Sequence, residues 1–259
     1  MKIATWNING VKARIEGVLT WLGQAEPDIA CLQEIKSVDE GFPSERFEEL
    51  GYNVAVHGQK GFNGVAILSK LPFDEVASGL PGDADDMQAR YLNVVVSTED
   101  AAVRVICIYL PNGNPVDSEK YPYKLDWMAR LEDQVKALLA FEEAFIVAGD
   151  YNVIPTSDDV HDPDAWAGDA LFRPETLTAY RQLVNLGLTD AYRACHDEAH
   201  QYSFWDYQGG AWQKNHGIRI DHLLLSPQAA DRLKGCEIDS FTRGWEKPSD
   251  HVPVWVELS

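Results

Sequence analysis

The chain has 259 residues, of which 45% are apolar and 24% charged, and its 41 acidic against 22 basic side chains leave a formal charge of −19. That composition excludes disordered, collagen-like and low-complexity architectures and suffices to bury a full core in one large domain or two small ones. The negative balance also argues against a nucleic-acid partner, because polyanions are ordinarily met by a basic surface.

In chain order, a strand is predicted at 3–6, followed by a helix at 16–24 that carries Val18, Leu19 and Leu22 on one side. Strands follow at 29–32, 54–56, 65–68, 91–96 and 103–110, then a longer helix over 118–141 with Leu125, Met128, Leu131, Val135, Leu138 and Leu139 at helical spacing. After a strand at 145–148, a third helix begins near Pro174, carries Tyr180, Leu183 and Val184, and ends at Gly187. The last strands are predicted at 222–225 and 252–256. Strands 91–96 and 103–110 leave no room for a helix between them, which predicts antiparallel hairpins and mixed sheets in a layered α/β domain.

No repeat or linker divides the chain, so 1–259 reads as a single domain. The four cysteines are widely spaced, with Cys31 and Cys107 inside apolar runs, and point to buried reduced thiols in place of disulfides or a zinc ribbon. No apolar stretch approaches a membrane span, and the first residues reach Asn7-Ile8-Asn9-Gly10 before a signal sequence could form. A cytoplasmic location is expected. Two acidic loops, 82–86 and 158–169, read as solvated surface.

The chemistry-bearing residues follow the strands. Asn7 and Asn9 follow the first, Gln33-Glu34 the second, Tyr109 the strand from 103, and Gly149-Asp150-Tyr151-Asn152 the strand from 145; Asp221 and Ser249-Asp250-His251 precede the last two. Each has an ordinary alternative. Asn7 and Asn9 fit a turn, Gly149–Asn152 an Asx-turn, Glu34 a cap and His251 a satisfied core histidine. Taken together, buried carboxylates at several strand ends need a cation or mutual pairing. Oxygen donors with one histidine suit Mg²⁺ and are wrong for structural zinc, so phosphoester hydrolysis is the expected class. His196-Asp197-Glu198-Ala199-His200 matches no zinc-protease motif, and Asp162-Pro163-Asp164 fails as a calcium loop.

Seven segments in order, Trp6-Asn7-Ile8-Asn9-Gly10, Leu32-Gln33-Glu34-Ile35-Lys36, Asn63-Gly64-Val65-Ala66-Ile67-Leu68, Tyr109-Leu110-Pro111-Asn112-Gly113, Gly149-Asp150-Tyr151-Asn152, Arg219-Ile220-Asp221-His222 and Ser249-Asp250-His251, resemble the bacterial exonuclease III and AP endonuclease family of the endonuclease/exonuclease/phosphatase superfamily. The resemblance implies a four-layer α/β sandwich of two mixed sheets between helices. It implies Mg²⁺-dependent cleavage 5′ to abasic sites in double-stranded DNA and removal of nucleotides and blocking groups from 3′ ends, with Mn²⁺ as an alternative ion and a monomer as the expected state. Residue by residue, Glu34 resembles the principal metal carboxylate, with Asn7 beside it, Asn9 at a position that is an acid in some relatives, and Asp250 more remote. Asp150 resembles the residue that aligns or deprotonates the attacking water, Asn152 and Tyr109 those that contact the phosphate, and Asp221 with His251 the Asp–His pair. Whether Asp150 or His251 takes the proton stays open, with Asp150 favoured. Phe204, Trp205, Ile218 and Ile220 fall where relatives build a pocket for the baseless sugar.

Two departures stand out. Pro115 occupies a place where some relatives carry an arginine that enters the duplex, and the chain is unusually acidic. Screening over about 8 Å lets a local basic rim suffice; Arg90, Lys120, Arg173, Lys214 and Lys60 are its candidates, with Asn112 as a further substrate contact. The alternatives are another phosphodiesterase or phosphatase of the superfamily, such as a lipid phosphatase or sphingomyelinase, or a catalytically silent DNA-binding scaffold.

Overall fold

The computed structural model describes residues 1–98 and 101–259. The first half of the chain forms β1 (Lys2–Asn7), α1 (Val11–Ala25), β2 (Ile29–Gln33), α2 (Ser44–Glu48), β3 (Asn53–His57), β4 (Val65–Ser69), β5 (Glu75–Ser78), β6 (Tyr91–Ser97) and β7 (Ala102–Tyr109). Next come α3 (Lys120–Leu139), β8 (Phe145–Asp150), α4 (Pro163–Trp166), α5 (Pro174–Val184), β9 (Thr189–Asp190) and α6 (Ala191–Cys195). The chain closes with α7 (Ala211–Lys214), β10 (Asp221–Leu225), α8 (Pro227–Ala230), β11 (Leu233–Ile238) and β12 (Val254–Leu258).

The strands make two six-stranded sheets, in the orders β11-β12-β1-β2-β4-β3 and β5-β6-β7-β8-β10-β9. Each has one parallel pair at its centre, β1 with β2 and β7 with β8, and antiparallel pairing elsewhere. The sheets face each other across a core of Ile3, Ile29, Cys31 and Ile67 from one and Val105, Cys107, Ile146, Ala148 and Leu223 from the other. Outside the first sheet, α1 packs Val18, Trp21 and Leu22 on Ala4, Trp6, Ala30 and Leu32. Outside the second, α3 and α5 pack Trp127, Leu131, Val135, Tyr180 and Leu183 on Ile106, Ile108, Val147 and Leu224. Helix, sheet, sheet, helix: the four expected layers are present.

Strand alternation carries the site. Side chains of successive strand residues point to opposite faces. In β1 Ile3 and Thr5 face the other sheet, in β7 Val105 and Cys107, in β8 Ile146 and Ala148, and in β10 Leu223 and Leu225. Continued by one step of two, those inward series reach Asn7, Tyr109, Asp150 and Asp221 at the same rim. Register holds them level: Tyr109 pairs with Asp150, Asp150 with Asp221, and Asn7 with Gln33. Gln33 closes the core beneath them, accepting from Thr5 Oγ1 at 3.2 Å and donating to the Cys31 carbonyl.

Several boundaries differ from the sequence expectation. α1 begins at Val11, five residues before the predicted start, because Val11 itself is buried and belongs to its apolar stripe. Gly149-Asp150 lies inside β8, and a Cβ on Gly149 would stand 2.0 Å from the Ile108 carbonyl oxygen, so only glycine lets β7 approach there. The final strand starts at Val254. β5, β9 and β11 are strands the pattern missed: β5 is exposed throughout, β9 has two residues and β11 is an edge strand with a bulge, so none shows an apolar alternation. The acidic loops are not simply solvated. Asp86 accepts from Arg130 and Tyr123, and Asp159 is fully buried against Arg219 and Arg193. The four cysteines are free, Cys195 alone being exposed. Among the described residues no helix is long and apolar enough to cross a membrane.

Candidate active site

At the rim, the Asn7 Nδ2 donates at 2.9 Å both to Glu34 Oε1 and to Asp150 Oδ2, so two carboxylates from different sheets meet at one amide. Tyr109 donates its hydroxyl to the same Glu34 oxygen at 2.8 Å, and Lys36 pairs with the other at 2.9 Å. These hydrogen bonds outweigh burial and hold the Glu34 carboxyl below its usual range. Asn9 donates its main-chain N–H to Asn7 Oδ1 at 3.0 Å, while its side chain donates to Asp250 Oδ1 at 3.1 Å and accepts from Lys36. Asn9, Glu34 and Lys36 all have left-handed backbones, with φ of 47°, 49° and 52°. Such conformations are unfavourable for these residues and recur at functional sites.

His251 stands between two carboxylates. Its Nδ1 lies 2.9 Å from Asp221 Oδ2 and its Nε2 3.7 Å from Asp150 Oδ2. Burial opposes its charge, but Asp221 and Asp150 overcome that and push its pKa up to about 10. Burial, with the Asp221 charge adding and His251 opposing, pushes Asp150 up to about 7. A carboxyl held there can exchange a proton near neutral pH. Burial and the charges of Glu34 and Asp150 drive the Tyr109 phenol far above its usual range, so it is a hydrogen-bond donor and not an anion. Asn152 completes the cluster: its N–H donates to Asp150 Oδ1 at 2.9 Å, and its side-chain oxygen accepts from Asn112 Nδ2 at 3.1 Å. The Asx-turn alternative is realised in this loop, the Asp150 side chain accepting from the N–H two residues on.

Among the described residues, the ion pairs of Glu34, Asp150, Asp221 and Asp250 are those with Lys36 and His251, and ligand atoms of Asp150, Asp221 and His251 lie within 4.8 Å of one another. An oxygen-rich donor set with surplus negative charge fits a hard divalent cation.

The pocket candidates divide. Phe204, Ile218 and Ile220 share one cluster, and Phe204 packs edge-on to His251 with ring centroids 4.9 Å apart. Trp205, the next residue along, joins Tyr202, Ala211 and Val252 in a different cluster and bonds Asn215. Among the basic candidates, Arg90 and Lys120 share with Asn112 and Phe62 a hollow of about 390 Å³ beside the site, with Arg90 stacked 4.8 Å above Tyr109. Arg173 is held by Glu175 and lies over Tyr121, while Lys214 and Lys60 are exposed and do not line this hollow. The pattern missed a second flank of mixed charge: Lys12, Arg14 and Lys247, with Glu16 and Glu246, line a hollow of about 540 Å³ that reaches Trp6 and Ser249, and Arg14 donates to the Asn9 carbonyl. It also missed the supports. Ser203 donates to Asp221 at 2.6 Å, and buried Arg219 bridges Asp159, Asp190 and His222 behind it. His196 and His200 lie in a loop and bond separate groups, and Asp162 caps α4.

Residues 4–251 match the Endonuclease/Exonuclease/phosphatase family. The chain belongs to this family. Over the full length of both proteins it is 36% identical to the exodeoxyribonuclease III of Haemophilus influenzae. Among solved structures of the family, the AP endonuclease from Archaeoglobus fulgidus superposes with a TM-score of 0.94 at 36% identity, covering 100% of this chain and 99% of that one. The 3′ phosphatase from Neisseria, solved bound to a product DNA hairpin, superposes at 0.95 with 38% identity and the same coverage. Metal-dependent phosphodiester hydrolysis is the chemistry of the family, and the acidic rim lies where the two sheets meet.

Proposed function

We propose that this DNA repair nuclease is a Mg²⁺-dependent phosphodiesterase that incises double-stranded DNA 5′ to abasic sites and trims nucleotides and blocking groups from 3′ ends. The observation that carries the reading is the convergence of Glu34, Asp150 and the Asp221–His251 pair on one rim, joined through the Asn7 amide. Exodeoxyribonuclease III, AP endonuclease and 3′ phosphatase relatives along the whole chain support the substrate class. Residues 1–259 act as one domain, since the site draws on positions 7 to 251. All of the groups invoked come from one chain, which accords with a monomer, and the expected place of action is the cytoplasm.

Glu34, Asn7, Asp250 and Asn9 would hold Mg²⁺, or Mn²⁺ in its stead. When bound, the ion supplies Lewis-acid stabilisation of the phosphate. The chain's own groups do the remainder. Asp150 accepts the proton of the attacking water as the new P–O bond forms and the P–O3′ bond breaks, and the leaving 3′ oxygen takes a proton from solvent water to become the 3′-hydroxyl. His251, kept protonated by Asp221, donates to a phosphate oxygen, as do Tyr109 and the Asn152 amide, so charge that builds in the transition state meets fixed donors. Phe204, backed by the buried Ile218 and Ile220, offers an apolar surface to a sugar lacking its base. Arg90 and Lys120 give a locally basic flank on an acidic body, and across the site Lys12, Arg14 and Lys247 outnumber Glu16 and Glu246 by one charge.

A duplex oligonucleotide with one abasic site tests this reading. Mg²⁺-dependent incision 5′ to the lesion, absent in an undamaged duplex, is the expected result. Tight binding without cutting under all divalent ions would favour the scaffold reading instead.

A further inference from the structure

Lys124 lies on the second turn of α3 and is completely buried. Its ammonium donates to three main-chain carbonyls: Asn152 at 2.7 Å, Pro111 at 3.1 Å and Asn112 at 3.2 Å. That uses all three of its N–H groups. Among the described residues no carboxylate is within ion-pair distance of it, and burial, offset only in part by Asp150 and Asp169 at longer range, pushes its pKa down to about 7; the three carbonyl acceptors favour the ammonium form. Burying an ammonium is costly, and neutral donors could tie the same loops more cheaply.

The three carbonyls belong to the two loops that follow β7 and β8. Those loops hold each other through their side chains: Asn112 donates to Asn152 Oδ1, and Asn152 Nδ2 donates to the Leu110 carbonyl at 2.9 Å. Asn152 also has a left-handed backbone, φ 48°, a conformation its neighbours must maintain. The shortest Lys124 bond is to its carbonyl. The passage for the lysine stem is built into the sequence at Gly113, where a Cβ would fall 2.7 Å from Lys124 Cδ and 3.1 Å from Ala170 Cβ.

We propose that Lys124 is a positioning residue for phosphodiester cleavage: by clamping the carbonyls of Pro111, Asn112 and Asn152, its ammonium sets the Asn152 and Asn112 amides against the substrate phosphate. The inference rests on the role given to Asn152 above. Misplacing a reacting group by about an ångström can cost on the order of 100-fold in rate.

The test is a double-mutant cycle on the abasic duplex with Mg²⁺, using single-turnover rates for the slow variants. Lys124→Met, of similar length and without charge, is expected to lower kcat about 100-fold while KM stays within about 3-fold. In an Asn152→Ala background the same substitution is expected to cost less than about 3-fold, because the group it positions is already gone. A full loss in both backgrounds, or undiminished kcat in Lys124→Met, would overturn the inference. Near wild-type activity of Asn152→Ala alone would instead overturn the role of Asn152. If thermal melting shows Lys124→Met unfolded at the assay temperature, Lys124→Gln, which keeps two N–H donors and no charge, enters the same cycle under the same criteria.

Discussion

Replacing Asp150 by Asn should make the enzyme more stable and almost inactive. The carboxylate is wholly buried, and burial with the Asp221 charge raises its pKa to about 7 from an ordinary 3.8. A raised acid pKa means that the fold is penalised as pH climbs from the unfolded value through the folded one, so at pH 7.5 the metal-free protein carries the whole cost. At 1.36 kcal/mol per unit the ceiling is about 4 kcal/mol. His251 loses a favourable neighbour when that charge is removed, and Asn7 loses an acceptor, which brings the expected gain to on the order of 2 kcal/mol. For a chain of this size that is a rise of roughly 4–8 °C in melting temperature. Meanwhile the loss of the proton acceptor should lower kcat by about 10²–10⁴-fold. The assay pairs thermal melts in EDTA with incision of the abasic duplex in Mg²⁺. A lower melting temperature, or turnover within a few-fold of wild type, would refute the reasoning that this carboxylate is held at a cost for proton transfer.

Asp221→Asn should leave the fold intact but lower kcat by about 10²–10⁴-fold, and NMR titration of His251 should show its pKa falling, since Asp221 is its nearer carboxylate; an unmoved titration would remove the pair from the account. Tyr109→Phe deletes one hydrogen bond to a charged oxygen and should cost roughly 1.5–3 kcal/mol of transition-state stabilisation, about 10–150-fold in kcat/KM. His222, fully buried with Arg219 donating to Nδ1 and its Nε2 hydrogen on the Val153 carbonyl, has a pKa lowered to about 4 by burial and by the Arg219 charge. A depressed histidine pKa gives stability that is present above 6.5 and lost as pH falls towards 4. On the order of 3 kcal/mol should therefore disappear across that window in wild type and not in His222→Gln, as read by urea titrations at each pH. Arg90→Ala and Lys120→Ala should each weaken duplex binding and flatten the slope of log affinity against log salt by about one, whereas Lys214→Ala should change neither.

Much of the site was legible because strand alternation and hydrophobic pattern obey one period. Wherever an inward apolar series ended in a polar residue, as in Ala148 followed two positions later by Asp150, that residue reached the rim. Trp205 shows the limit of the same rule. Lying next to Phe204 in sequence, it points to the opposite side and builds a separate cluster with Tyr202 and Val252. Edge strands such as β5 left no signal, since both of their faces meet solvent. Lys124 and Arg219 were invisible for a different reason. Each looks like an ordinary surface cation, and its role appears only when carbonyls or acids from distant segments close around it. The acid of 158–169 that matters most, Asp159, was hidden among solvated neighbours and is identified by its partners alone.

Direct titration of the metal-free enzyme with Mn²⁺, followed by electron paramagnetic resonance without any DNA, tests whether the rim is a cation site. The account predicts saturable binding that Glu34→Gln weakens by at least about 10-fold, while the Lys214→Ala protein binds as wild type does. Binding that survives Glu34→Gln unchanged would contradict it.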